Sequence, residues 1–247
     1  MEIKNGAAIV TGSSSVVGIG AEIAKLIASK GCKVLINYVT NVEGAEETVS
    51  ACRAHGVDSF AVQGDVSNDI DCREMVKAAI DRWGRLDILV NNAAVTKTVP
   101  GADLDGLTAE DFLEIYSVNV VGNFQMTRAA APHLKETGDG AVVNISSLGA
   151  LIGDGSSIAY AASKGALNNL TMALARQLAP EVRVNAICPG GMLGNWTKKI
   201  MDEEAYERRV KRANTEFLLR KPVMPLDVAR TVLWLIEDAA LMTGEAF

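Results

Sequence analysis

Tyr160 and Lys164 lie four residues apart in Tyr160-Ala161-Ala162-Ser163-Lys164, so a helix sets a phenol and an ammonium on one face about one turn from each other. A bare pair with this spacing is common and usually exposed. Ser147 sharpens it, a hydroxyl thirteen positions earlier at the end of an apolar run that reads as a strand; Ser146 is expected to point to the opposite side. These residue types suit proton transfer at a carbonyl or alcohol carbon. Reducing a carbonyl builds negative charge on its oxygen, which calls for a donor to hold that oxygen and an acid to deliver a proton. A free phenol, with a pKa of about 10, is a reluctant base near neutral pH, and a positive charge beside it stabilises the phenolate. Lys164 is therefore expected to make Tyr160 more acidic.

Such side chains need a scaffold, and the chain supplies a repeating one. Short runs rich in Val, Ile and Leu predict strands at 7–10, 33–37, 59–63, 86–91, 141–146 and 183–188, with helices between them at about 20–30, 44–55, 70–83, 109–135, 160–179 and 226–237. Strands that are apolar throughout belong to a parallel sheet covered on both faces, and right-handed crossovers stack helices on each side. The expected fold class is α/β: one Rossmann-type, doubly wound domain over residues 1–247, with no Pro/Ser/Gly-rich linker dividing it. Residues 191–221 break the rhythm with a long charged excursion, read as a substrate lid.

The first strand runs into Thr11-Gly12-Ser13-Ser14-Ser15-Val16-Val17-Gly18-Ile19-Gly20 and then directly into a helical pattern. Glycines there permit a tight turn and close backbone approach to a pyrophosphate, and the opening N–H groups of the helix make an anion site. With this loop and the Tyr-x3-Lys pair, the chain resembles the short-chain dehydrogenase/reductase family across nearly its whole length, closest in pattern to the bacterial 3-oxoacyl carrier-protein reductases. Asp65-Val66, Asn91-Asn92-Ala93-Ala94, Asn119, Ser147 and Pro189-Gly190 fall in the family's order. Two departures stand out. Val16-Val17 act as a two-residue insertion in the glycine loop, a spacing like that of bacterial enoyl reductases, and Gly194 stands where the family has a threonine near the nicotinamide amide, which implies either looser clamping of the cofactor or a shift of that job to Thr197.

The resemblance implies an NAD(P)-dependent oxidoreductase interconverting a carbonyl and a secondary alcohol, with 3-oxoacyl thioesters among its candidate substrates. Tyr160 is the implied acid/base, Ser147 the orienter, Lys164 the electrostatic tuner and nicotinamide-ribose ligand, and Asn119 the support for a proton relay. Implied cofactor contacts come from Gly12, Ser14, Ser15, Gly18, Ile19 and Gly20 in the loop, Tyr38 after the second strand, and Asp65 and Val66 after the third. Asn92 and Ala93 follow the fourth and Pro189, Gly190 and Met192 the sixth, joined by Tyr160 and Lys164. Tyr38 stands where NAD-preferring relatives carry an aspartate, which favours NADP over NAD. Two alternatives are a non-catalytic dinucleotide sensor and an enoyl reductase; the latter spaces its tyrosine and lysine more widely.

In the lid, Lys198, Lys199, Arg208, Arg209, Lys211, Arg212, Arg220 and Lys221 alternate with acids. A solvated face with i,i+4 pairs is the expectation, an acidic carrier docking there the alternative. Met192, Leu193, Trp196, Ile200, Phe217 and Leu218 are candidate pocket residues. The net charge of −6 and pI near 5.1 give no support to a nucleic-acid surface. His55 and His133 sit in unrelated helices, so no metal centre is expected, and Ser147 has no histidine base for hydrolase chemistry. No run reaches membrane-span length; a cytoplasmic homotetramer or homodimer, packed through the helices at 109–135 and 160–179, is expected. The residues at 242–247 stand where relatives enter a last strand, so either a trimmed sequence or a shorter strand is expected.

Overall fold

A computed structural model describes residues 1–99, 103–194, 197–198 and 201–247. Six parallel strands, β1 (Ala7–Val10), β2 (Lys33–Tyr38), β3 (Ser59–Gln63), β4 (Ile88–Asn91), β5 (Gly140–Ile145) and β6 (Val182–Ile187), form one sheet in the order β3-β2-β1-β4-β5-β6. Alternate side chains point to opposite faces. Ala8, Val10, Val34, Ile36, Ile88 and Val90 enter a core under helices α1 (Ile19–Ser29), α2 (Val42–Arg53) and the C-terminal α9 (Pro225–Glu237). Ile9, Leu35, Leu89 and Val142 enter the other, under α3 (Asp69–Trp83), α5 (Asn123–Glu136) and α7 (Ile158–Leu178). The chain order reverses between β1 and β4, and the crevice at the carboxyl ends of those strands is where doubly wound folds bind ligands.

Local chemistry sets where the helices begin. Thr108 and Asp111 form a capping box at α4 (Ala109–Tyr116), Asn41 caps α2 and Asn68 caps α3, each giving an orphan first-turn N–H an acceptor. The long helix expected at 109–135 is in fact broken: α4 and α5 are separated by a π turn at Ser117–Gly122. The reason is tertiary. Asn119 inside that turn accepts a hydrogen bond from the Val95 N–H (2.9 Å) and donates to the Val95 carbonyl (3.0 Å), a pairing that an uninterrupted helix does not encode. A short α6 (Gly149–Ile152) was not anticipated as a helix, whereas the lid helix α8 (Glu203–Thr215) carries the solvated, charged helix face expected of that segment. Beyond α9 the tail pairs alongside β6, with Ala186 bridged in parallel to Ala246.

Two buried side chains tie the sheet to the helices across it. Asn144 on β5 accepts from Asn91 on β4 (2.9 Å) and donates to Thr171 on α7 (2.9 Å), while Asn91 also donates to Thr127 on α5 (3.1 Å). A buried polar chain of this kind fixes register because a slipped partner leaves an unpaired amide. It seats α7, and hence Tyr160 and Lys164, against the sheet.

Candidate active site

A cleft of about 920 Å3 runs along the carboxyl ends of the strands. Its first half is built by the glycine loop. Gly12 has φ +61°, and a Cβ there would lie 2.8 Å from the Ala93 Cα; one on Gly20 would meet the Asn92 Nδ2 at 2.6 Å. Glycine at both positions lets the loop lie flat on the end of β4. The Thr11 hydroxyl accepts from the N–H groups of Asn92 (2.9 Å) and Ala93 (3.0 Å), and the Asn92 side chain donates to the carbonyls of Thr11 and Gly12 (both 2.9 Å). Val16-Val17 bulge ahead of Gly18, and Lys25 holds the bulge by donating to the Val16 carbonyl (3.1 Å). Helix α1 starts with Gly18 as an N-cap that has no side-chain bond. Among the described residues the N–H groups of Ile19, Gly20 and Ala21 find no acceptor, which leaves the anion site that a pyrophosphate needs.

Gly12, Ser14, Ser15, Gly18, Ile19 and Gly20 line this half, with Tyr38, Asp65, Val66, Asn92 and Ala93 further along. Pro189, Gly190, Met192, Ser147, Tyr160 and Lys164 line the other. The residue set therefore fits a dinucleotide stretched along the sheet's edge. Asn119 is the exception: it is buried behind the wall, donating to Ser163 (3.0 Å), which in turn donates to the Tyr160 carbonyl (2.7 Å). No hydrogen bond joins it to Lys164 among the described residues.

At the far end, Ser157 caps α7 by accepting from the Tyr160 N–H (3.2 Å), so the phenol projects from the first turn. Lys164 is buried and donates to the Ile145 carbonyl at the end of β5 (2.7 Å), with its ammonium 5.6 Å from the centre of the Tyr160 ring. Ser147 accepts from the Gly149 N–H (3.1 Å), whereas Ser146 turns away and donates to the Lys164 carbonyl (3.2 Å). Lys164 by itself does not acidify the phenol. Burial pushes Tyr160 up to about 12, opposed by hydrogen bonding from Ser147, and the same loss of water pulls Lys164 down to about 8. Desolvation disfavours phenolate and ammonium alike, and it is the largest cause of both shifts.

The lid covers the catalytic end only in part. Met192 and Phe217 line the cleft; Leu193 is buried outside it and Leu218 is fully exposed, so Leu218 is no pocket residue. Trp196, Lys199 and Ile200 lie outside the described residues. Thr197 reaches the cleft, but its hydroxyl is tied to Gly194, accepting from its N–H (3.0 Å) and donating to its carbonyl (2.8 Å). Arg208 pairs with Glu204 (2.5 Å) and Arg212 with Glu216 (2.9 Å), the i,i+4 pattern that the alternating charges implied. Sequence reasoning missed Val95, Asp154 and the inward turn of Arg209; no local pattern marks them, since each is brought to the cleft by packing.

Residues 12–247 match a sequence model of the family described as enoyl-(acyl carrier protein) reductase. A Streptomyces violaceoruber protein provisionally named ketoacyl reductase 2 of granaticin polyketide synthase is 41% identical over 238 residues, covering 96% of this chain and 92% of its own. The 3-oxoacyl-(acyl-carrier-protein) reductase FabG of Staphylococcus aureus is 33% identical over 240 residues, covering 96% and 94%. A crystal structure from Burkholderia xenovorans, provisionally assigned as a short-chain dehydrogenase/reductase, superposes with a TM-score of 0.90 at 38% identity, covering 98% of this chain and 95% of its own.

Proposed function

The chain belongs to the short-chain dehydrogenase/reductase family, and from that premise we propose that it reduces the ketone of a 3-oxoacyl thioester with NADPH, using Tyr160 as the acid. Its class of activity is nicotinamide-dependent interconversion of a carbonyl and a secondary alcohol. The observation that carries the finer reading is the convergence of Ser147, Tyr160 and Lys164 at the end of the cleft beyond the glycine loop. The bound dinucleotide supplies the hydride. Ser147 donates a hydrogen bond to the carbonyl oxygen, Tyr160 delivers the proton as negative charge builds there, and the Lys164 ammonium, pinned by Ile145, stabilises the phenolate left behind. Asn119 is a positioning residue that supports proton exchange between Lys164 and solvent by holding the wall shared by Val95 and α7.

NADP is preferred over NAD in this reading because Tyr38, Val39, Thr40 and Asn41, which line the cleft beyond β2, include no carboxylate to repel a 2′-phosphate. Ketone rather than enoyl reduction is preferred because Tyr160 and Lys164 lie one helical turn apart, although the description of the matching family model favours the enoyl reading. Among the described residues no helix is long and apolar enough to cross a membrane. Four free thiols, three of them buried, suit a reducing compartment, and the cytoplasm is the proposed one.

Oxidation of NADPH and NADH, followed with 3-oxoacyl and enoyl thioesters of matched length, tests all three choices. The expected outcome is NADPH-dependent turnover of the 3-oxo compounds, reduced by about 100- to 10,000-fold in Tyr160→Phe with dinucleotide affinity unchanged. Turnover of the enoyl thioesters alone, or a fully active Tyr160→Phe, rejects the reading.

A further inference from the structure

Among the described residues that line the cleft, Arg209 is the one cation whose charge neither catalysis nor an ion pair explains. The stripe of α8 that faces inward carries Ala205, Arg209 and Ala213, four residues apart, and Ala213 is fully buried. The neighbouring arginines are exposed and paired, Arg208 with Glu204 and Arg212, which also lines the cleft, with Glu216. Arg209 lines the cleft without such a pair, anchored by a hydrogen bond from its Nε to the Met192 carbonyl (3.3 Å). Met192 belongs to the segment after Pro189-Gly190 that borders Tyr160 and Lys164 in the same cavity. Among the described residues no carboxylate lies within ion-pair distance of Arg209, and its two terminal nitrogens make no hydrogen bond. Asp154, on the same cavity wall, acts on it only at longer range; burial and the like charge of Arg212 both push its pKa down.

A half-buried guanidinium that lines a cavity with its terminal N–H groups unpaired has donors to spare for a ligand, and a planar fork of donors matches carboxylate and phosphate oxygens. We propose that Arg209 is a specificity-determining residue that binds an anionic group of the substrate, a carboxylate on the acyl chain or a phosphate on its carrier arm. The proposal rests on the carbonyl-reducing function given above and deepens it, because it adds a charge requirement to the substrate.

The test compares Arg209→Gln and Arg209→Lys with the unaltered enzyme on matched pairs: oxo acids of four to eight carbons against their methyl esters, and 3-oxobutanoyl pantetheine against 3-oxobutanoyl phosphopantetheine. In Arg209→Gln, kcat/KM is expected to fall about 10- to 100-fold for the anionic member of one pair, the loss expected for one charge-assisted bond. The neutral member should change less than about threefold, and Arg209→Lys should recover part of the loss. The pair that shows the difference identifies carboxylate or phosphate as the source. An equal loss on neutral and anionic members, or a loss of dinucleotide affinity, overturns the proposal, the latter because it places the anion on the cofactor. Binding is also read as the thermal shift that the same anions give to the dinucleotide-loaded protein, which should vanish in Arg209→Gln. A protein that turns over no carbonyl yet shows this shift refutes the proposed reaction and leaves the anion site standing; no shift and no selectivity refute the site.

Discussion

Tyr160 and Lys164 are moved in opposite directions by one cause, the removal of water from a group whose charged form then costs more. With the phenol at about 12 and the ammonium at about 8, both hold their protons at neutral pH, and the phenol is poised to give one rather than take one. The proposed reduction starts from this doubly protonated pair. As pH rises through about 8, Lys164 loses its charge while Tyr160 keeps its proton, so kcat/KM for carbonyl reduction, which reports free-enzyme ionisations, should decline above that value. A profile flat from pH 6 to 10 would contradict this. The same lysine has a sign for stability. Its folded pKa of about 8 lies below its ordinary 10.5, so between those values the unfolded chain binds more protons and stability from this group rises with pH. Below pH 8 the full penalty of burying the ammonium remains, and denaturant titrations at pH 7 and pH 10 compare the two regimes.

Among the elements, the π turn at Ser117–Gly122 and the lid helix α8 depart most from a plain α/β reading. Asn119 spends its whole side chain on the Val95 backbone and on Ser163. Asn119→Ala would leave the part-buried N–H and C=O of Val95 without their side-chain partner, at about 1–3 kcal/mol in total. The expected result is a melting temperature lower by about 2–12 °C, taking about 2–4 °C per kcal/mol for a chain of this size. Val95 borders the cleft, so turnover should fall further than dinucleotide affinity; calorimetry and steady-state kinetics on the same preparation check both. An unchanged melting temperature would mean that the turn is held by something other than Asn119. In α8 the period of the helix, rather than its composition, separates Arg209 from Arg208 and Arg212: Arg209 is half-buried on the stripe that ends in buried Ala213, whereas the other two are exposed and paired with glutamates.

For the whole molecule, the sheet order places every candidate contact along one edge, and the faces left outside are unusually apolar for a lone globule. Leu113, Val121 and Phe124 on α4, the π turn and α5, and Met172 on α7 are exposed, beside the small Ala162 and Gly165 that allow close helix approach. Assembly into a tetramer of the 26.1 kDa chain through these helices is the proposed arrangement. Light scattering after size exclusion should give four chains, and Val121→Glu combined with Met172→Glu should give dimers or monomers; a monomeric unaltered protein would discard it. Much of the architecture was legible in the residues themselves. The strand runs, the glycine loop and the one-turn spacing of Tyr160 and Lys164 depend on near neighbours, and hydrophobic period, turn chemistry and helical pitch are local properties. Folding alone decided the rest: that Tyr160 loses acidity rather than gains it, that Val95 breaks a helix at Asn119, that Leu218 faces water and Arg209 the cleft. Each of these depends on groups far apart in the chain and on how much water their packing removes, which no short stretch of sequence specifies.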